Sequence, residues 1–182
     1  MMYHKITISD AVVLSQIQAN DANSIARHIH DPDIYKNTLR IPYPYTVENA
    51  NHFITAVQKF EKENQKQKDW AIRMYGEMVG GIGLLFNFGP DSHRSEIGYW
   101  LTKSYRGRGI MGKVIKKFSD FCFTNYGMTR LEAHVFAQNE ASKKVLINNG
   151  YQLEGLIKAA FIKDNKFVDA FLYAKISPDL KQ

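Results

Sequence analysis

Cysteine is almost missing from this chain: Cys122 is the single one in 182 residues. One thiol cannot close an internal disulfide or build a cysteine-rich zinc site, so no metal is expected. Long apolar runs are missing too. Nothing approaches the ~18 apolar residues of a membrane span, and the opening MMYHKITISD lacks the apolar stretch of a secretion signal. No repeat, low-complexity tract or linker interrupts the chain. These absences predict a soluble cytoplasmic protein with no membrane partner.

Acidic residues are lacking in one place. Between Lys103 and Lys117 stand Lys103, Arg106, Arg108, Lys113, Lys116 and Lys117 with no Asp or Glu among them. That window holds the whole formal charge of +6, and the rest of the chain is neutral. A basic segment wrapped around glycines suits a compact polyanion better than a long nucleic-acid track. For Lys116 and Lys117, a solvated helix face serves equally well as an explanation. At 45% hydrophobic, 182 residues are enough for one packed core, so a single domain over residues 1–182 is expected.

The elements follow from periodicity. YHKITISDAVVLSQI reads as an opening strand region, with Ser9-Asp10 as a turn. A short helix is expected over Ala22–His30, then a loop, DPDIYKNTLRIPYPY. Thr46 is placed to cap a helix running to about Asn64, because Val47, Ala50, Phe53, Ile54, Val57 and Phe60 recur at helical spacing. Three strands, Trp70–Tyr75, Met78–Phe86 and Ser95–Thr102, are separated by turns and predict an antiparallel meander. Ile110, Val114, Phe118, Cys122 and Tyr126 fall four apart, which makes Cys122 a core residue rather than a nucleophile. Leu131, Ala133 and Val135 alternate as a strand. A short helix from about Ala141 ends at Gly150, and strands Tyr151–Ile162 and Phe167–Ile176 flank the turn KDNK.

The stretch GYWLTKSYRGRGIMGK contains Gly107, Gly109 and Gly112 in the pattern G-x-G-x-x-G. A dinucleotide fold would place such glycines directly after a buried strand and early in its domain, with an acid ending the next strand. Here TKSYR intervenes, more than half the chain precedes the motif, and Glu132 lies near the start of the next strand. A Walker loop is excluded by spacing and by the missing Lys-Ser/Thr ending. What remains is a glycine loop at a helix N-terminus, where successive N–H groups and the helix dipole favour phosphate.

At this level EIGYWLTKSYRGRGIMGKVI resembles the acetyl-CoA-binding motif of the GNAT N-acetyltransferases, Arg/Gln-x-x-Gly-x-Gly/Ala. Arg106 and Gly109 match; Met111 stands at the final Gly/Ala position, with Gly112 one step later. AQNEASKKVLINNGYQLEG, IPYPYT and FVDAFLYAKI resemble further stretches of the branch containing the ribosomal-protein N-terminal alanine acetyltransferases. The similarity covers about residues 35 to 176. It implies an α/β GNAT fold: a mixed, mostly antiparallel twisted sheet, splayed at the cofactor cleft and flanked by helices. It also implies acetyl-CoA as co-substrate and an amine as acceptor.

The resemblance assigns roles to residues. Backbone groups of Gly107, Arg108, Gly109, Ile110, Met111, Gly112 and Lys113 would hold the pyrophosphate, with Arg106 supporting the loop by charge. Trp100, Leu101 and Thr102 would pair with the pantetheine amides. Asn139 and Ser142 would face the pantetheine arm and thioester, although by capping rules alone Asn139 is an ordinary N-cap and Ser142 a first-turn residue. A serine hydroxyl is a far weaker acid than a thiol of pKa ~8.5, so Ser142 is assigned as a hydrogen-bond donor or a relay to water.

A base is needed because an ammonium group has no lone pair. At pH 7, deprotonating an α-amine of pKa ~8 costs about 1.4 kcal/mol, against about 4.6 for a lysine near ~10.4. By the same resemblance the position of Glu96 is similar to that of the base in histone-type members, and alternation places it on the face of Gly98, Trp100 and Thr102. It could equally be a surface strand glutamate. His134 is the second candidate. Tyr43 and Tyr45, in RIPYPYT, are assigned to the acceptor pocket, with a stiff surface turn as the alternative.

Three readings are carried forward: an amine N-acetyltransferase, a GNAT-like domain that binds acyl-CoA without turnover, and a basic nucleic-acid-binding module. The third lacks aromatic-interleaved basic strands, so no nucleic-acid partner is expected. The acceptor's identity and the oligomeric state are not legible in the sequence.

Overall fold

The structure is a computed structural model that describes residues 3–180. Strands β1 (Ile6–Ser9) and β2 (Val12–Gln16) form the opening hairpin. Helix α1 (Ala22–Ile29) follows one 3₁₀ turn and buries Ala22, Ile25, Ala26 and Ile29. The segment expected as loop contains a short helix, α2 (Pro32–Lys36). Pro32 suits a first helical turn, and the Asp31 carboxylate accepts the Asp33 N–H at 2.8 Å. Helix α3 (Val47–Asn64) starts at a capping box. Thr46 Oγ1 accepts the Asn49 N–H at 3.2 Å, and Asn49 Oδ1 accepts the Thr46 N–H at 2.9 Å. Its buried stripe is Ala50, Ile54, Val57 and Glu61, while Val47 is exposed.

Strands β3 (Asp69–Met74), β4 (Glu77–Phe86) and β5 (Arg94–Leu101) come next, then helix α4 (Ile110–Tyr126) and β6 (Arg130–Phe136). Helix α5 (Glu140–Ile147) leads to β7 (Gln152–Lys163) and β8 (Lys166–Ile176). Asp164 and Asn165 both take positive φ, 50° and 59°. That is the backbone of a two-residue turn matched to strand twist. The sheet order is β1-β2-β3-β4-β5-β6-β8-β7, with β5 and β6 parallel and the pairs β1–β2, β2–β3, β3–β4, β6–β8 and β7–β8 antiparallel. This is the α/β architecture expected from the sequence. Among the described residues no helix is long and apolar enough to cross a membrane.

Contacts divide the chain into two compact units. The first takes the residues up to Tyr35, Arg40–Leu84 and Gly98–Ile110. Its core joins Ile17, Ile25, Ile29, Ala50, Ile54 and Met78. A buried ion pair holds β3 to the start of α1, with Arg73 donating to both Asp21 oxygens at 2.7 and 2.8 Å. The second takes Lys36–Leu39, Leu85–Ile97 and the residues from Met111 on. There Val114, Phe118 and Cys122 of α4 are fully buried, as are Leu131 of β6 and Leu146 of α5. Cys122 is therefore a core residue.

Candidate functional site

In the first unit, the end of β5 from Gly98 on runs into the glycine loop. Gly80 and Gly81 of β4 let β5 come close. A Cβ on Gly80 would lie 2.6 Å from the Trp100 carbonyl oxygen, and one on Gly81 2.8 Å from the Trp100 indole nitrogen. The Thr102 N–H donates to the Val79 carbonyl at 2.9 Å, and the Thr102 hydroxyl lies 3.2 Å from His28 Nδ1. Thr102 was expected to offer its backbone to the pantetheine arm. That N–H is already committed to β4. Strand alternation turns the Leu101 backbone towards the opposite edge.

The loop bends at Gly107 and Gly109, with φ of +73° and +72°, the left-handed region where side chains are strained. No heavy atom lies within 4 Å of the position a Cβ would take on either glycine. The bend is therefore set by backbone conformation, and the space beside it is open. Ile110 opens α4 directly after it, and the first four N–H groups of a helix have no partner within that helix.

Arg106, expected to support the loop by charge, has its charged partners on the segment around α2. Its Nε donates to the Leu101 carbonyl at 2.8 Å, Nη2 pairs with Asp31 at 2.7 Å, and Nη1 lies 3.6 Å from Asp33. The charge is spent on anchoring the loop to α2. Asp31 and Asp33 are the residues that sequence reasoning missed, because they precede Arg106 by some seventy positions and no local pattern links them. Arg108 is exposed and sits over the Tyr105 ring, 5.4 Å from its centroid.

The tyrosines also separate. Tyr45, expected to line an acceptor pocket, is only 7% exposed and belongs to the helical core. Burial pushes its hydroxyl up to about 12. Tyr43 is 44% exposed and packs against His30 and Tyr35, with ring centroids 4.9 and 5.8 Å apart.

In the second unit, the parallel register pairs Glu96 with Glu132 and places His134 one step further along the same face of β6. His134 Nδ1 is 3.2 Å from Glu96 Oε2. This is ion-pair distance without hydrogen-bond geometry. The Glu96 carboxylate raises the His134 pKa above its usual value, against the lowering by burial, and Glu132 adds to the rise. Burial pushes the Glu132 carboxyl up, but Arg130 at 2.6 Å and Arg94 at 3.2 Å hold it below the usual range. It therefore remains an anion two residues from His134. Phe161 meets the imidazole edge-on at 5.7 Å.

Asn139 caps α5: its Oδ1 accepts the Ser142 N–H at 3.1 Å. The ordinary capping role is therefore real, and it fixes Ser142, half-buried, in the first turn.

The family model for the acetyltransferase (GNAT) domain matches residues 11–152. The chain belongs to the GNAT acetyltransferase family. Across 167 residues it is 25% identical to the L-amino acid N-acetyltransferase AaaT of Escherichia coli (91% of this chain and 98% of that one). Its fold matches the ribosomal-protein-S5-alanine acetyltransferase of Vibrio fischeri with a TM-score of 0.85 at 22% identity, over 98% of this chain and 100% of that one. It also matches the microcin C7 self-immunity acetyltransferase MccE, solved with acetyl-CoA and AMP, with a TM-score of 0.81 at 21% identity over 93% and 94%.

A GNAT enzyme draws its acetyl group from acetyl-CoA, and the loop of this chain fits that group. Two left-handed glycines with open space beside them lead into a helix N-terminus, where backbone N–H groups meet a pyrophosphate. Among the described residues no cluster of three or more His, Cys, Asp or Glu side chains is placed to hold a metal ion.

Proposed function

We propose that this protein is an acetyl-CoA-dependent N-acetyltransferase acting directly on the α-amino group of an amino acid or peptide, in the cytoplasm. One GNAT-type domain over residues 1–182 is the functional unit, since the family match runs through both compact units without a break. The observation that carries the reading is the glycine loop, with Gly107 and Gly109 at φ +73° and +72°, directly before α4. The backbone of residues 107–113 binds pyrophosphate, and Arg106 positions that backbone through Asp31.

Bound acetyl-CoA supplies an acyl group activated as a thioester. The protein's own residues manage the protons. His134, facing Glu96, accepts the proton that the amine must lose, and the Glu96 carboxylate stabilises the resulting imidazolium. Ser142 offers its hydroxyl as a hydrogen-bond donor at the sulfur side, and Asn139 sets the helix turn that presents it. Tyr43 is the exposed tyrosine on the acceptor side. The acceptor assignment is supported by AaaT, which by name acts on L-amino acids. An α-amine also costs less to deprotonate at neutral pH than a lysine.

Calorimetry with acetyl-CoA, followed by a turnover screen over amino acids and N-terminal peptides, tests the reading. Transfer to an α-amine is the expected result. Binding without transfer to any amine would leave the non-catalytic acyl-CoA-binding reading in its place.

A further inference from the structure

Beyond the base pair, the second unit contains a pocket of about 430 Å³ that no step above uses. Its lining includes Lys36, Lys163, Lys166, Gln138, Phe167 and Asp169. Three lysines and one carboxylate, Asp169, are among its lining residues. That carboxylate is occupied in part, since Asp169 Oδ1 accepts the Ala159 N–H at 2.7 Å. Phe167 is 75% exposed. The pocket therefore combines excess positive charge with an uncovered aromatic face, a combination suited to an anionic peptide segment.

Its position relates it to the chemistry. Phe136, the last residue of β6, lines the same pocket and stands two residues beyond His134. Phe161 touches both, with ring centroids 5.7 Å from His134 and 5.9 Å from Phe136. At about 3.3 Å per residue of extended chain, the lining residues Ala137 and Gln138, just past the end of β6, stand roughly 10 Å along the chain from the imidazole. The α-carboxylate of a free amino acid is one carbon from its amine and cannot bridge that span. An extended peptide advances by about the same 3.3 Å per residue, so its third and fourth side chains can.

Resting on the acetyltransferase reading, the geometry points to a specificity subsite: Lys36, Lys163 and Lys166 select acceptor peptides with carboxylate side chains at the third and fourth residues. The lysines neither touch the reacting amine nor move its proton. They fix where the rest of the peptide lies.

The test uses the full chain and two labelled tetrapeptides, Ala-Ser-Glu-Glu and Ala-Ser-Gln-Gln, each with an amidated C-terminus. Binding is read by fluorescence anisotropy and transfer by acetyl release from acetyl-CoA. The acidic peptide should bind about 10-fold tighter at low salt, an advantage that fades as ionic strength rises to about 0.5 M. In the Lys36→Glu/Lys166→Glu variant the ratio should collapse or invert, while Lys36→Arg/Lys166→Arg retains it. Equal affinity for the two peptides in the native protein would overturn the subsite. So would a preference for free glutamate over both, which would assign the anion site to an amino acid. Since anisotropy needs no turnover, an acidic peptide that binds selectively but is never acetylated keeps the subsite and removes the proposed activity instead.

Discussion

His134 Nδ1 and Glu96 Oε2 lie 3.2 Å apart across the two parallel strands β5 and β6. Neither residue alone is well matched to an amine. An imidazole beside a fixed carboxylate holds a proton better and returns it above its usual ~6.5. Phe161 covers one side of the ring, and the Arg-held anion of Glu132 adds its charge.

Glu96→Gln removes the charge that raises His134. The His134 titration, followed by NMR of its ring protons, should move down in pH. The rising limb of kcat/KM should move down with it, and the plateau should fall about 10- to 100-fold as the imidazolium loses its counter-charge. A limb that moves up towards the amine's own pKa would assign the proton to Glu96 through water. The same shift affects stability. With the folded pKa above the unfolded one, the pair's contribution is complete below about 6.5 and is lost as pH rises through the folded value.

Asp31→Asn tests the anchoring of the loop. It removes the charge paired with Arg106 at 2.7 Å without touching the glycines. If Arg106 acts by positioning, acetyl-CoA affinity should fall about 5- to 30-fold by calorimetry, a loss typical of one displaced charge-assisted contact. If Arg106 were itself a phosphate ligand, freeing it from Asp31 would leave affinity unchanged or improve it.

Much of this arrangement was legible in the sequence because it depends on local rules. The cap at Thr46, the stripe that buries Cys122 and the two-residue turn after β7 each follow from neighbours a few positions apart. The glycine loop was legible for the same reason. What escaped depends on distance along the chain: Asp31 meeting Arg106, and Val79 taking the Thr102 N–H. Tyr45 escaped differently. Both tyrosines of RIPYPYT were assigned to the acceptor pocket, yet the chain turns Tyr43 outward and buries Tyr45 two residues later. Glu96 and His134 were both named as base candidates, but only the folded structure brings them to 3.2 Å of one another.

The tyrosines give a third prediction. Tyr45→Phe should leave activity intact, since the buried hydroxyl is held neutral, at about 12, far from any working pH. Tyr45→Ala should cost about 3–5 kcal/mol of stability by denaturant unfolding, as for other large aromatic deletions. Tyr43→Ala should raise the acceptor KM with little change in melting temperature. A Tyr45→Phe variant with severely reduced kcat would return Tyr45 to the site.

Asn139 and Ser142 separate a structural role from a chemical one within a single helix turn. Asn139 Oδ1 accepts the Ser142 N–H, so Asn139→Ala should cost about 1 kcal/mol through the lost cap and reduce activity only as far as α5 frays. Ser142→Ala keeps that backbone bond and removes only the hydroxyl. Its melting temperature should stay close to the native value while kcat falls about 10- to 1,000-fold with little change in KM, the range for one donor acting late in the reaction. The deficit should shrink with a synthetic acetyl thioester whose thiol is more acidic, because a better leaving group needs less help from a donor. Equal rate losses with both thioesters would place Ser142 in binding rather than in departure of the sulfur. A stable acetyl adduct on Ser142 by mass spectrometry would replace direct transfer with an acyl-enzyme route.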